Sequence, residues 1–174
     1  SASRLNSLQK ADGSWSWFAG MPGSRFVTTQ IVEMLARLQV LAETQKEIGN
    51  IYRRGMNYLK EQVAKEVKAM KEAKKKGGKG LLPSEDALRY LYICSLDSDA
   101  NPDKSTVDYL IKLLEKMPSD LTIYGKAKCA LILHHFGKEE KAKEFMQSLM
   151  EYSLVNDEMG RFFDSPKAYY SWFS

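Results

Sequence analysis

The chain has 174 residues, 44% hydrophobic and 28% charged, with a net charge of +4. That length and balance suit one globular domain, or a piece of a larger one, with a core of its own, and argue against a disordered chain. The charge excess is too small to demand nucleic acid as a partner. No apolar run reaches the roughly 20 residues of a membrane span, and residues 1–10 hold no signal-like apolar stretch.

Apolar spacing is helical nearly everywhere between a few Gly- and Pro-bearing points. The first clear helix is predicted from about Arg25 to Lys46. Its apolar residues, among them Phe26, Val27, Ile31, Val32, Met34, Leu35 and Leu38, cover more than half of the circumference. The next, about Ile51 to Lys74, carries one narrow stripe of Tyr52, Met56, Leu59, Val63, Val67 and Met70. The alternation repeats. Residues 85–97 and 121–136 give broad apolar helices. Val107, Leu110, Ile111, Leu114 and Met117 give a second narrow stripe. Ala142, Phe145, Met146, Leu149 and Met150 give a third. A broad apolar surface marks a helix buried on several sides, and a narrow stripe marks one with a face in water. Three broad–narrow pairs therefore predict an all-α chain of three helical hairpins, each with an inner helix followed by an outer one.

The boundaries fit. Ser24 and Ser84 are candidate N-caps, and Asn101 is placed to cap a helix with Pro102 in its first turn. Ser119 or Asp120 can cap the next inner helix, and Gly137 suits its left-handed end. The run Lys74 to Gly80 reads as an exposed loop rather than a nucleic-acid patch.

A motif recurs at the two ends. Asp12-Gly13-Ser14-Trp15-Ser16-Trp17-Phe18 precedes the first inner helix. Asp157-Glu158-Met159-Gly160-Arg161-Phe162-Phe163 follows the third outer one. Both run from acidic through Gly-bearing to aromatic. The final Tyr169-Tyr170-Ser171-Trp172-Phe173 stands where a fourth inner helix would begin.

The stretch from Leu8 to Leu38 carries a more particular pattern. Gln9, Asp12, Gly13, Trp15 and Trp17 resemble the glutamine–tryptophan signature of α/α-toroid proteins, a terpenoid-cyclase-like fold. Phe18, Gly20, Met21 and then Arg25-Phe26-Val27-Thr28-Thr29 resemble the thioester-domain region of bacterial alpha-2-macroglobulin-like proteins. Gly160, Phe162, Tyr170 and Trp172 extend that resemblance to the C-terminus. It implies a half-barrel, a single partial toroid domain over residues 1–174 belonging to a larger multidomain chain. It also implies a periplasmic or cell-surface setting, with lipid anchoring of the parent left open. The role implied is scaffold in a protease trap, with the remaining domains of the parent as partners and target proteases met through that parent. The family's thioester needs Cys-x-Glu-Gln. Cys94-Ser95-Leu96-Asp97 and Cys129-Ala130-Leu131-Ile132 do not match it, so this chain forms no such thioester.

The remaining candidates are weaker as sites than as structure. Trp15, Trp17 and Phe18 could stack on a ligand. Aromatics beside a Gly turn more often wedge between helices, with Gln9 and Asp12 bonding loop amides, so Trp15 and Trp17 are expected to be buried. His134 and His135 point about 100° apart on a helix and cannot share a metal as an i, i+4 pair would, so one is expected in the core and one partly exposed. Asp97, Asp99, Asn101, Asp103 and Asp108 fall at positions 1, 3, 5, 7 and 12 of a calcium-type loop, but Pro102 stands where that loop needs Gly. Cys94 and Cys129 read as small core side chains, with a bond between them left open. No nucleophile–base pair or metal cluster is legible, and no cofactor is expected. Glu33, Glu85 and Asp86 are the carboxylates an inverting glycosidase could draw on, though nothing selects them. A toroid enzyme or glycan-binding module is the alternative to a non-catalytic scaffold. Half a toroid would leave Phe26, Val27 and Ile31 at one open end and Tyr169, Tyr170, Trp172 and Phe173 at the other, so self-association of the chain is expected.

Overall fold

The structure, a computed structural model, describes residues 2–41, 46–78, 82–117 and 123–160. All regular elements there are helices: α1 (Ala2–Leu8), α2 (Arg25–Leu41), α3 (Lys46–Lys75), α4 (Glu85–Leu96), α5 (Lys104–Glu115), α6 (Ile123–His135) and α7 (Glu139–Gly160). The extended pairing among the described residues is a single bridge between Trp15 and Ser24. The chain divides into two compact units, Ser1–Val107 and Asp108–Ser174.

In the first unit α3 is the spine. It is 30 residues long, about 45 Å at 1.5 Å per residue. Its buried stripe is Ile51, Tyr52, Gly55, Tyr58, Leu59, Val63, Val67 and Met70. The sequence-based stripe included Met56, which is half-buried instead. Helices α1, α2 and α4 all lie against α3, and α2 also lies against α4. Val32, Leu35 and Ala36 of α2 and Ala87, Leu88, Leu91 and Ile93 of α4 fill the space between them. Gly55 permits the approach. A Cβ there would lie 2.5 Å from Val32 Cγ2 and 3.3 Å from Trp15 Cζ3.

Caps set the helix ends. Ser24 Oγ accepts from Val27 N–H at 3.2 Å, and Ser84 Oγ accepts from Ala87 N–H at 3.1 Å. Gly77 ends α3 in the left-handed region, φ 80°, with Gly78 N–H donating to Ala73 O and Gly77 N–H to Lys74 O. That pair of bonds is the Schellman pattern. It carries α3 through Lys75, two residues into the predicted basic loop. Asn101 does not cap α5. Asp103 does, accepting from Thr106 N–H at 3.1 Å, and Pro102 precedes the cap. A carboxylate one residue after the proline competes better for the free amides of the first turn.

In the second unit α6 and α7 form a hairpin. Gly137 turns it at φ 79°, with Lys138 N–H bonded to Leu133 O and Gly137 N–H to His134 O, again a Schellman end. Leu110, Ile111, Leu114 and Met117 are buried, as are Cys129, Ala130, Ile132, Leu133, Ala142 and Phe145. Helix α6 is less apolar in its burial than its composition predicts: Leu131 is exposed, and Lys126 and Lys128 are buried. The third narrow stripe is half right, since Met146 and Met150 face solvent. Asp157 to Gly160 are helical in α7, whereas Asp12 to Phe18 form a turn. Over Asp157 to Gly160, the described part of the second copy, the motif repeats composition and not conformation. Ser119 and Asp120 lie outside the described residues, as do Phe162, Tyr170 and Trp172.

Candidate functional site

The signature residues converge on the junction of α1, α2 and α3. Gln9 Nε2 donates to Gly13 O and to Ile51 O, both at 2.9 Å, and so joins the turn to α3. Asp12 Oδ1 accepts from Ser14 N–H at 3.0 Å and from Ser14 Oγ at 2.6 Å. Those bonds hold the Asp12 carboxyl below the usual carboxylate range. Gly13 sits at φ 92°, and a Cβ on it would lie 2.1 Å from Arg54 O. Only glycine fits so close to α3 in the left-handed region.

Trp15 is 2% exposed. Its indole N–H donates to Leu5 O at 2.9 Å, and its backbone N–H donates to Thr28 Oγ1 at 2.9 Å. Ser24 N–H returns to Trp15 O at 2.8 Å. Thr29 Oγ1 donates to Arg25 O at 2.7 Å. That back-bond satisfies a buried hydroxyl on a residue type that otherwise has low helix propensity. Gln9, Asp12, Trp15, Thr28 and Thr29 thus direct these polar groups at the chain's own backbone and at Ser14.

Trp17 and Phe18 depart from the expected burial. They are 60% and 73% exposed. Trp17 stacks on Phe26, centroids 5.7 Å apart and planes 16° from parallel. Extended pairing stops at the Trp15–Ser24 bridge, and Trp17 and Phe18 lie in the bend that follows, so the two-residue period that would put Trp17 on the Trp15 side does not reach it. With Phe26, Met34 and Leu38 also exposed, the outer face of α2 is an apolar surface. Val27 and Ile31 are half-buried beside it. Composition alone put α2 inside; the neighbours that would cover this side are not among the helices lying against it.

Arg25 belongs to a polar joint. Its Nη1 meets Glu66 Oε1 at 2.6 Å, and Glu66 also accepts from the N–H and hydroxyl of Ser84, the cap of α4. One carboxylate on α3 therefore ties the starts of α2 and α4. Burial pushes the nearby Asp86 carboxyl up, against the opposing pull of Arg25 and Arg89. Glu33 is buried, 3.5 Å from Arg89 and 3.9 Å from Arg37. Arg89 also donates to Gln30 Oε1 at 2.8 Å. These contacts make Glu33 a partner in a charge network between α2 and α4 and not a free cleft acid. The Glu66 joint left no mark in the sequence beyond the Ser84 cap, since the contacts span 41 and 18 positions.

The proposed calcium-loop residues are engaged otherwise. Asp97 Oδ2 accepts from Tyr52 OH at 2.8 Å and Oδ1 from Asp99 N–H at 3.0 Å. Burial and this carboxylate raise the Tyr52 hydroxyl well above its ordinary value. Asp103 Oδ2 accepts from Ser105 and Thr106, which holds its carboxyl low. Among the described residues no three His, Cys, Asp or Glu side chains gather as a metal site. Lys46 and Arg53 of α3 and Asp97, Asp99 and Asn101 border an open cleft of about 710 Å³.

His134 and His135 are both exposed, which corrects the expectation of one core histidine. His134 Nδ1 lies 2.7 Å from Glu139, and His135 meets Phe136 edge-on at 4.8 Å. The cysteines are free and buried. Burial pushes the thiols of Cys94 and Cys129 each up to about 12.

Comparison with protein-family models, with curated proteins and with solved structures gives no match to this chain. No helix among the described residues is long and apolar enough to cross a membrane.

Proposed function

We propose that the chain is a non-catalytic helical scaffold and interaction domain, a partial α/α toroid of the kind found in bacterial alpha-2-macroglobulin-like protease traps. One observation carries it. The polar groups of the glutamine–tryptophan signature are used to lock a turn between α1, α2 and α3. A ligand site would leave donors and acceptors turned outward, but here Gln9 Nε2, Asp12 Oδ1 and the Trp15 N–H groups close on the chain, and Gln9 Oε1 is buried beside them. The Trp17–Phe26 stack then stands at the edge of an apolar helix face, as a joint in a larger assembly would.

In that role the domain supplies rigidity and contact area, and the chemistry of trapping belongs to other parts of the parent. The setting would be the periplasm or cell surface, with the parent's other domains as partners. Target proteases would be met through the parent.

The test uses the parent protein. The reading frame around this segment should encode Cys-x-Glu-Gln and immunoglobulin-like domains upstream. Proteolytic cleavage of the parent should change its shape and shield the bound protease from macromolecular substrates. A free-standing frame whose product turns over terpenoids or polysaccharides, with activity lost in Glu33→Gln or Asp97→Asn, would overturn the proposal in favour of a toroid enzyme.

A further inference from the structure

We infer that the outer face of α2 is a self-association surface that seats the same face of a second copy of this chain. The inference stands on the exposed face and not on the family resemblance, so it goes beyond the scaffold role and can fail separately from it.

The face is built as one ridge. Phe26, Gln30, Met34 and Leu38 stand at i, i+4, i+8 and i+12 on α2, about 18 Å from end to end. Phe26, Met34 and Leu38 are 41 to 45% exposed. Trp17 extends the ridge through its stack on Phe26. Phe18 and Met21 continue from it in a turn closed by Met21 N–H to Phe18 O at 3.2 Å. These six apolar side chains account for most of the large apolar surface exposed among the described residues of the first unit.

The size suits a protein partner. Aromatic side chains bury about 150–250 Å² when covered, so Trp17 and Phe18 alone offer about 250 Å². With the other four the face reaches roughly 500 Å², at the upper end for a monomer's largest patch. A standard interface takes about 800 Å² from each partner, of which an apolar centre of this size and a polar rim make up the whole.

The charge pattern narrows the partner. Trp17 to Leu38 contains three charged residues, Arg25, Glu33 and Arg37. Arg25 is paired with Glu66, Glu33 is buried beside Arg89, and Arg37 lies 5.7 Å over the Tyr92 ring. An anionic membrane or a nucleic acid would need a cationic rim that this face lacks. A like surface meets no charge barrier.

The same ridge on a second copy supplies a matching partner. An i±4n ridge fits between two identical ridges at a crossing angle near −50°, the commonest arrangement of packed helices. A two-fold axis near Gln30 and Met34 would bring Phe26 of each copy to Leu38 of the other. The contact is then isologous and closes at a dimer.

Sedimentation velocity of the full chain across a wide concentration range tests this. The expected result is a monomer–dimer equilibrium. Met34→Lys with Leu38→Lys should weaken it at least tenfold, and so should Trp17→Ser. Leu131→Lys, at an exposed site on α6, should leave it unchanged. All four positions are exposed, and circular dichroism melts check that each variant folds. A chain that stays monomeric at the highest concentration overturns the inference. So does association unaltered by the α2 lysines, or open-ended assembly beyond a dimer.

Discussion

Trp17 lies almost flat on Phe26, 5.7 Å between centroids, while Trp15, two residues earlier, is sealed against α1 and α3. The two tryptophans of one motif thus divide the work. One is an anchor and the other is surface.

That division makes a paired prediction. Trp15→Ala empties a core site and removes an indole hydrogen bond, and should cost about 3–5 kcal/mol. Trp17→Ala removes an exposed stack and should cost about 1 kcal/mol or less. Thermal melts of the two variants compare them directly. Equal midpoints would contradict the anchor role of Trp15.

Gly13 and Gly20 both have positive φ, 92° and 84°. A Cβ at Gly13 meets Arg54 O at 2.1 Å, and one at Gly20 meets nothing within 4 Å. Gly13→Ala should therefore destabilise by more than the conformational strain alone, about 2 kcal/mol or above. Gly20→Ala should pay only that strain, about 1 kcal/mol. Chemical denaturation midpoints give the ratio.

Glu66 serves Arg25 and the Ser84 cap at once. Glu66→Ala should cost about 2–3 kcal/mol, as expected when charge-assisted bonds in a half-buried joint lose their acceptor. A double-mutant cycle with Arg25→Ala should then show coupling of 0.5 kcal/mol or more, an approximate lower bound for residues in one network. Additive effects would mean the joint contributes nothing beyond its parts.

Asp12 titrates below the usual range because Ser14 bonds its carboxylate. A group depressed in the fold stabilises fully above its unfolded pKa and loses that contribution as pH falls through the folded value. The melting temperature should therefore drop on acidification below about pH 4, and Asp12→Asn should flatten that acid limb. An unchanged acid limb in the variant would remove Asp12 from the account.

Cys94 and Cys129 are buried, with thiols pushed up to about 12. Neither should react with a thiol reagent at neutral pH in the folded chain, and both should react once it is denatured. Fast labelling of either before unfolding would place that thiol at the surface.

The helical character, the starts of α2 and α4, the ends of α4 and α6 to within a residue, and the caps Ser24, Ser84 and Gly137 were legible from spacing and local chemistry. Those features depend on contacts within one helical turn, where the interacting residues are neighbours in the chain. Burial was expected equally for Trp15 and Trp17, and only Trp15 has it, because Leu5, Thr28 and Gly55, which hold it, are distant in the chain. What tertiary structure alone decided was which side of each apolar helix is covered. Composition makes α2 broad, but coverage depends on α3 and α4, and these leave Phe26, Met34 and Leu38 in solvent. Asp103 displaced Asn101 as cap because both were competent and local geometry chose between them. The Arg25–Glu66–Ser84 joint links three helices through residues far apart in the chain, and only folding brings such groups to hydrogen-bond distance.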